Sequence, residues 1–139
     1  MANYAEILST QTQGEGDIVD LTGQVNSVVE RSGVQAGICT VFLPGSTAAI
    51  TTLEFEPGLQ KDLPLALERL FPRGIRYHHQ DTWQDGNGHS HVRASVLGPG
   101  ITVPVAGGRL VLGTWQQIVL VECDVRKRKR EIHIQLLGE

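Results

Sequence analysis

The second half of the chain is dominated by short segments that are rich in β-branched residues and separated by glycine turns. The turns are Gly98-Pro99-Gly100 and Gly107-Gly108, and such sequences interrupt regular structure. Parallel strands need a crossover connection of about a dozen residues or more, and turns this short provide none. We therefore predict antiparallel strands at His91–Leu97, Ile101–Val105, Arg109–Leu112, Gln117–Asp124 and Glu131–Leu137.

The first half mixes strand and helix patterns. One helix is predicted to begin after Asp17 or Asp20, either of which can cap it, and to end before Gly33. Its apolar positions recur at helical spacing: Ile18, Leu21, Val25, Val28 and Val29. A second helix is predicted over Leu59–Leu70, and it either starts at Pro64 or is kinked there. Further strands are predicted at Tyr4–Thr12, Gln35–Leu43 and Thr47–Glu54. The pattern indicates one α+β domain over residues 1–139, with a largely antiparallel sheet and two helices.

Composition narrows the class of protein. The 139 residues are 40% hydrophobic and 19% charged, which is typical of a globular domain. No segment approaches the roughly 20 apolar residues of a membrane span, and the N-terminus lacks the pattern of a signal peptide. Cys39 and Cys123 lie in apolar segments, so we expect reduced core thiols and a cytoplasmic protein. Residues 1–60 carry one basic and seven acidic residues, a polarity that suits self-association or an anionic ligand.

Tyr77–His91 holds four of the five histidines, together with Asp81 and Asp85. Imidazoles and carboxylates gather where they share a proton, a metal or a charged ligand. If a strand begins at His89, then His89 and His91 project from one face with Cα atoms about 6.5 Å apart, a workable spacing for two metal ligands. The candidate ligands and their supports are His79, His89 and His91, with Asp81 or Asp85 ligating or orienting an imidazole.

Three interpretations of this segment stay open from spacing alone: a metal site, a metal-free acid/base or anion site, and a purely structural role. Nitrogen and oxygen ligands favour zinc or another first-row metal over calcium. The turn Asp85-Gly86-Asn87-Gly88 directly precedes His89, and its glycines leave room for a ligand near the backbone.

Other segments give weaker signals. Trp115, between Thr114 and Gln116, either stacks on a planar heterocycle or fills the core. Ser46 and Thr47 follow Pro44-Gly45 and offer hydroxyls and free amides to a phosphate. Glu122 lies in an apolar segment, where it is either a general acid/base with a raised pKa or a solvent-facing strand residue. The basic run Arg126–Arg130 has no interleaved aromatics, so a charged hairpin tip is favoured over nucleic-acid binding.

The sequence resembles the YjbQ family, whose members carry the label secondary thiamine-phosphate synthase. The likeness lies in Tyr77-His78-His79, in DGNGHSH at Asp85–His91, in LGPGITVPV at Leu97–Val105 and in GRLVLGTWQQIVLVE at Gly108–Glu122. Upstream, Ser46–Thr51 is similar to the family's HTTAAIT stretch. Two residues depart from the pattern: Gly45 stands where the family usually has histidine, and Gly100 where serine is more usual.

The resemblance implies an α+β fold with a β-sandwich core, a homotrimer with clefts near subunit boundaries, and a weak or secondary synthesis of thiamine phosphate. By position, His79, Asp85, His89 and His91 match the family's polar site, and Thr114, Trp115, Gln116 and Glu122 match its second cluster. Gly45 removes an imidazole that would serve as a metal ligand or phosphate contact, so the site is expected to be incomplete there.

The leading hypothesis from the sequence is a metal-assisted transferase that joins a hydroxymethylpyrimidine diphosphate to a thiazole phosphate. The divalent metal, zinc or magnesium, would be held by His79, His89 and His91. Catalytic roles fall to Asp85, Glu122, Thr114 and Gln116, and substrate contacts to Trp115, Ser46, Thr47 and Asn87. The alternatives are a metal-dependent hydrolase of a small phosphorylated or carbonyl compound and a non-catalytic trimer that binds a small molecule or a metal. Neither nucleic acid nor membrane is an expected partner.

Overall fold

A computed structural model describes residues 1–139 and contains eight strands and four helices. The strands are β1 Ala2–Gln11, β2 Ile18–Asp20, β3 Ala36–Phe42, β4 Ala48–Leu53, β5 Gly100–Ala106, β6 Arg109–Leu110, β7 Gln117–Glu122 and β8 Lys129–Gly138. The helices are α1 Thr22–Ser32, α2 Pro57–Leu70, α3 His79–Thr82 and α4 Gly88–Leu97.

The strands form two sheets in which every pairing is antiparallel, as predicted. A five-stranded sheet has the order β1-β8-β3-β5-β6, and a three-stranded sheet has the order β2-β7-β4. Residues of both sheets and of α1 share one buried cluster, which includes Val41, Ile134, Ile50 and Leu120. The two sheets therefore enclose the main core between them.

Strand β7 explains how the three-stranded sheet is covered on both faces. Ile118 and Leu120 point into the main core, whereas Val119 and Val121 belong to a second cluster on the opposite face. Alternate residues of a strand face opposite sides, so a strand covered on both sides carries an unbroken apolar run. Helices α2 and α4 supply that second cover through Leu67 and Ala94.

The first helix matches its prediction except at its start. It begins at Thr22, whose backbone N–H donates to Asp20 Oδ1, and Val25, Val28 and Val29 are its buried residues. Ile18 lies in the short strand β2 instead, where it pairs with Val121. The helix ends at Gly33, which adopts the left-handed conformation expected of a C-terminal glycine.

The predicted strand at His91–Leu97 is wrong, because these residues belong to helix α4. Its buried residues include His89, Ser90, Arg93 and Ala94, whose spacing is helical. Three of these four are polar, so the helical period is invisible to a search for apolar residues. Together with the single turn α3, this makes four helices where two were predicted.

Helix α2 is longer than predicted and contains Pro64 in its interior. It begins at Pro57, and the Glu56 side chain accepts hydrogen bonds from the first free backbone N–H groups. None of the four helices is both long and apolar enough to cross a lipid bilayer.

Candidate functional site

His79 and His91 lie side by side at the junction of two helices. The single turn α3 carries His79 and the first turns of α4 carry His91, and their ring centroids are 4.5 Å apart. His79 Nε2 lies 3.5 Å from Asp85 Oδ1 in the intervening loop. The structure therefore brings together three of the residues that the sequence singled out.

Asn87 completes this group. With its amide NH₂ turned toward them, Asn87 donates to Asp85 Oδ1 at 2.8 Å and to His79 Nε2 at 3.2 Å. We call His79, Asp85, Asn87 and His91 the His79–His91 cluster. Its members come from one helix turn, the connecting loop and the start of the next helix, so the segment folds back on itself to assemble them.

His89 is not part of the cluster, contrary to the prediction that it shares a face with His91. Successive helical residues are rotated by about 100°, so side chains two positions apart point in nearly opposite directions. His89 is only 1% exposed, and its Nε2 lies 2.5 Å from Glu15 Oε1. No three His, Cys, Asp or Glu side chains form a ready metal site in this chain.

Glu15 was missed by sequence reasoning. It lies 74 residues from His89 along the chain, between Gly14 and Gly16, and has no local pattern around it. Its carboxylate also approaches Arg73 at 3.6 Å and Arg93 at 3.9 Å. The resulting charge network fixes His89 and the start of α4 against the rest of the fold.

The protonation of His91 follows from its surroundings. Burial lowers the pKa of His91, and the adjacent His79 lowers it further. Asp85, Asp124 and the Ser46 backbone act in the opposite direction with smaller effect. Since the net change is downward from an ordinary value of about 6.5, His91 is neutral at pH 7 and offers a ring-nitrogen lone pair.

Two clefts meet at His91. The first, which we call the polar cleft, has a volume of about 340 Å³ and no hydrophobic side chain in its lining. The second, the mixed cleft, has a volume of about 410 Å³ and includes Ala48, Ala94 and Pro99. His91, Gly45 and Ser46 line both clefts. The predicted Ser46-Thr47 element is therefore next to the His79–His91 cluster.

Thr47 and Ser46 differ in what they offer a ligand. The Thr47 hydroxyl donates to Asp124 Oδ2 at 3.1 Å and accepts from Arg130 Nη2 at 3.0 Å, so it is held by the protein. The Ser46 hydroxyl has no such partner. The backbone N–H groups of Gly45 and Ser46 are also free of intramolecular hydrogen bonds. These free donors belong to residues that line both clefts.

Glu122 is neither solvent-facing nor a free acid/base. It is 1% exposed, and its carboxylate accepts from Arg130 Nε at 2.8 Å and from Arg130 Nη2 at 2.5 Å. Thr12 Oγ1 and the Asp124 backbone N–H donate to it as well, at 2.8 and 3.0 Å. All of its acceptor positions are used by the fold, so it positions Arg130.

The basic run Arg126–Arg130 is therefore only partly a hairpin tip. Arg130 is the second residue of β8 and is 5% exposed, and Arg128 Nη1 pairs with the buried Asp124 at 2.8 Å. Arg126 and Lys129 are exposed and line the polar cleft. The run was predicted to be a charged hairpin tip, and the structure places four of its residues on the wall of the polar cleft.

Three members of the second predicted cluster, Thr114, Trp115 and Gln116, lie elsewhere, whereas the fourth, Glu122, pairs with Ala48 beside the mixed cleft. Trp115 is 72% exposed, so the alternative that it fills the core is wrong. Gln116 accepts from the Gly113 backbone and donates to Thr52 Oγ1, near the end of β4. The His79–His91 cluster lies at the other end of β4, about 17 Å away at 3.3 Å per residue. A single chain therefore does not bring Trp115 and Gln116 to the His79–His91 cluster.

The sequence matches the family described as UPF0047 protein YjbQ-like over residues 6–139. A UPF0047 protein from Methanothermobacter thermautotrophicus is 38% identical over 139 residues, which are all of this chain and 95% of the relative. The Bacillus subtilis UPF0047 protein YugU is 31% identical over 132 residues, which cover 94% of this chain and 97% of YugU.

Solved structures resemble this one over nearly the same extent. A YbjQ-like protein of unknown function from Sulfolobus solfataricus P2 has a TM-score of 0.89 at 35% identity, over 99% of this chain and 100% of that one. A hypothetical protein from Aeropyrum pernix K1 has a TM-score of 0.86 at 34% identity, over 96% of this chain and 99% of that one. The likeness therefore extends over both sheets and over the segments that build the clefts.

Proposed function

This chain belongs to the YjbQ-like UPF0047 family, and we propose that the two clefts meeting at His91 bind a small phosphorylated heterocycle and transform it. The adjacency of the clefts carries the proposal. One cleft is lined without hydrophobic side chains and suits a charged group, and the other has apolar walls that suit a ring. A molecule with a phosphate at one end and a heterocycle at the other fits across His91.

The reaction that we propose is a thiamine-phosphate synthase-like transfer. The bond between the methylene carbon and oxygen of hydroxymethylpyrimidine diphosphate breaks, and pyrophosphate leaves with the electron pair. The thiazole ring nitrogen of the acceptor forms the new carbon–nitrogen bond. Free amides at Gly45 and Ser46 are placed to hold the departing phosphate oxygens, and neutral His91 lies between the two clefts to orient the reacting groups.

We propose that a divalent metal binds at the His79–His91 cluster, because its imidazole and carboxylate donors suit zinc or magnesium in type, and that binding draws these side chains together, since no three of them form a ready site beforehand. Ligand atoms bonded to one zinc or magnesium ion at about 2.1 Å lie roughly 3–3.5 Å from each other. His79 Nε2 and Asp85 Oδ1 are 3.5 Å apart, at the upper end of that range. In this proposal His79, Asp85 and His91 hold the metal, and the Asn87 NH₂ orients Asp85 by donating to its carboxylate. Bound there, the metal would neutralise charge on the leaving pyrophosphate.

We further propose that the protein is a homotrimer whose subunits complete each other's site. Within one chain Trp115, Thr114 and Gln116 lie at the far end of β4 from the cluster, so their substrate role requires a neighbouring subunit. Exposed apolar residues on the five-stranded sheet support association, since Ile38 and Leu137 pair in adjacent strands and are 44% and 41% exposed. Two free buried thiols, Cys39 and Cys123, support a cytoplasmic location.

Complementation of a strain that lacks its thiamine-phosphate synthase tests the proposal. The wild-type chain is expected to restore growth without thiamine, and His79→Ala combined with His91→Ala is expected to abolish it. His78→Ala is the matched control, because that side chain is 94% exposed and outside the cluster. Growth that survives the double substitution would exclude this mechanism.

Product analysis separates the transferase from its alternatives. Pyrophosphate release that requires the thiazole acceptor supports transfer, whereas release without it indicates a hydrolase. Ligand-induced thermal stabilisation with no turnover of either substrate indicates a binding protein. Co-expression of the His79→Ala/His91→Ala chain with a Trp115→Ala chain tests the shared site, since mixed trimers are expected to regain part of the activity that each variant lacks.

A further inference from the structure

Arg130 is held in an orientation that leaves one nitrogen free. Its Nε and Nη2 donate to the two Glu122 carboxylate oxygens, and Nη2 also donates to Thr47 Oγ1. Nη1 has no hydrogen-bond partner in the chain, although the side chain is only 5% exposed. A guanidinium that a bidentate carboxylate already holds in place loses little further conformational freedom when it binds another anion.

The free nitrogen points to the polar cleft. A Cβ atom added to Gly45 would lie 3.4 Å from Arg130 Nη1, so this nitrogen is next to the Gly45 backbone. Gly45 and Ser46 contribute the backbone N–H groups that have no intramolecular acceptor. A buried cationic donor and two residues with free amides therefore line the same cleft, and these are the donor types of a phosphate site.

The rim of the same cleft carries two further cations. Arg126 and Lys129 are exposed, line the cleft and form no ion pair within the chain. Arg128 differs, because Asp124 already neutralises it. Acidic side chains also line the cleft, namely Asp85, Asp124 and Glu131. An anion is therefore expected to bind near Gly45 and Arg126, away from Asp85.

We propose that Arg126, Lys129 and Arg130, with the amides of Gly45 and Ser46, form a subsite for a diphosphate group. Arg130 and the amides hold one phosphate at the wall, and the rim cations hold the second. Orthophosphate can occupy only one of these positions, so it is expected to bind more weakly than pyrophosphate. The subsite rests on the proposed function in that it places the leaving group beside the His79–His91 cluster.

Calorimetric titration of the full chain with pyrophosphate and with orthophosphate, in metal-free buffer, tests the subsite. The wild type is expected to bind pyrophosphate at least tenfold more tightly than orthophosphate. Arg126→Gln combined with Lys129→Gln is expected to weaken pyrophosphate binding about tenfold. Both residues are exposed, so this variant keeps the folded core.

The matched control is Lys127→Gln combined with Arg109→Gln. It removes the same charge from exposed positions that do not line the polar cleft. Its affinity for pyrophosphate is expected to stay within about twofold of the wild type, since only long-range electrostatics change. An equal loss in both double variants would mean that net charge alone attracts the anion, and would overturn the subsite.

Two other results of the titrations would overturn the diphosphate subsite. Absence of pyrophosphate binding by the wild type overturns the subsite, as does a rim variant that binds like the wild type. The metal-free titration keeps this test separate from the proposed reaction, because it measures anion binding with neither the metal nor the thiazole acceptor present. Pyrophosphate binding together with failed complementation would exclude the transferase and leave the subsite standing.

Discussion

Replacing Glu122 by glutamine is expected to destabilise the fold strongly through the charge that it leaves behind. Arg130 would remain buried at 5% exposure with one neutral acceptor in place of a bidentate carboxylate. Removing one partner of a buried ion pair typically costs about 3–5 kcal/mol in the free energy of unfolding. Because glutamine keeps the shape and one acceptor oxygen, we expect the lower end, about 3 kcal/mol.

The assay is equilibrium unfolding in urea at a fixed protein concentration, since association would shift the apparent stability. With a slope of about 2 kcal/mol per molar, the midpoint is expected to fall by about 1.5 M. The chain offers a matched control in Glu6, which accepts from Arg31 Nε at 2.8 Å and from Nη2 at 2.9 Å. Glu6→Gln removes the same bidentate geometry at the surface, where water and salt screen it, so its effect is expected to be much smaller.

Equal midpoint shifts for Glu122→Gln and Glu6→Gln would refute the reasoning, because both pairs are bidentate and only the Glu122–Arg130 pair is buried. Salt gives a second measure, since 1 M NaCl is expected to remove the Glu6 effect and preserve the Glu122 effect. Replacing both partners, as Glu122→Leu with Arg130→Met, is expected to recover much of the loss because no buried charge is left unpaired. A double variant as unstable as Glu122→Gln would point to packing instead.

Three further results are expected. Burial raises the pKa of the Cys39 thiol to about 11 and that of Cys123 to about 12, so a thiol reagent at pH 8 is expected to modify neither until urea unfolds the protein. Gly37→Ala is expected to destabilise the protein strongly in urea unfolding, because an added Cβ would overlap the Leu137 carbonyl oxygen in β8. Hydrogen bonds from Arg31 and Tyr4 lower the pKa of Glu6 from 4.5 to about 2. The ionised carboxylate therefore stabilises the folded protein above pH 4.5, and this stabilisation is lost as the pH falls toward 2. Glu6→Gln is expected to flatten this part of the curve of unfolding free energy against pH.

Each of these three predictions has a control or an outcome that would contradict it. Thiol labelling of the native protein at the unfolded rate would contradict the burial of both cysteines. Gly23→Ala, at an exposed position of α1 with nothing within 4 Å of an added Cβ, is expected to stabilise by about 1 kcal/mol. If Gly37→Ala behaved like Gly23→Ala, the close approach of β3 and β8 would be wrong. An unchanged acid limb in Glu6→Gln would mean that Arg31 does not hold the carboxylate.

Most of the sheet could be predicted because each strand carries its signal locally. Alternating or unbroken apolar runs locate the strand segments, and the Gly107-Gly108 turn fixes the pairing of β5 with β6, whereas the other pairs join strands that are distant in sequence. Helix α4 could not be predicted in this way, since its buried face consists of His89, Ser90 and Arg93 as well as Ala94. His89 and Arg93 are accommodated by the distant partners Glu15 and Glu68, which no local pattern reveals.

The candidate site likewise combines features that are local in sequence with features that depend on tertiary packing. The sequence alone shows that His79, Asp85, Asn87 and His91 lie in one short segment. One loop between two helices is therefore enough to bring their side chains together. Only the tertiary structure decided that His89 turns away to Glu15 and that Glu122 orients Arg130 beside Gly45. Those contacts join segments 74 and 85 residues apart, and such long-range pairs are set by how the sheets and helices pack, which no single stretch of sequence encodes.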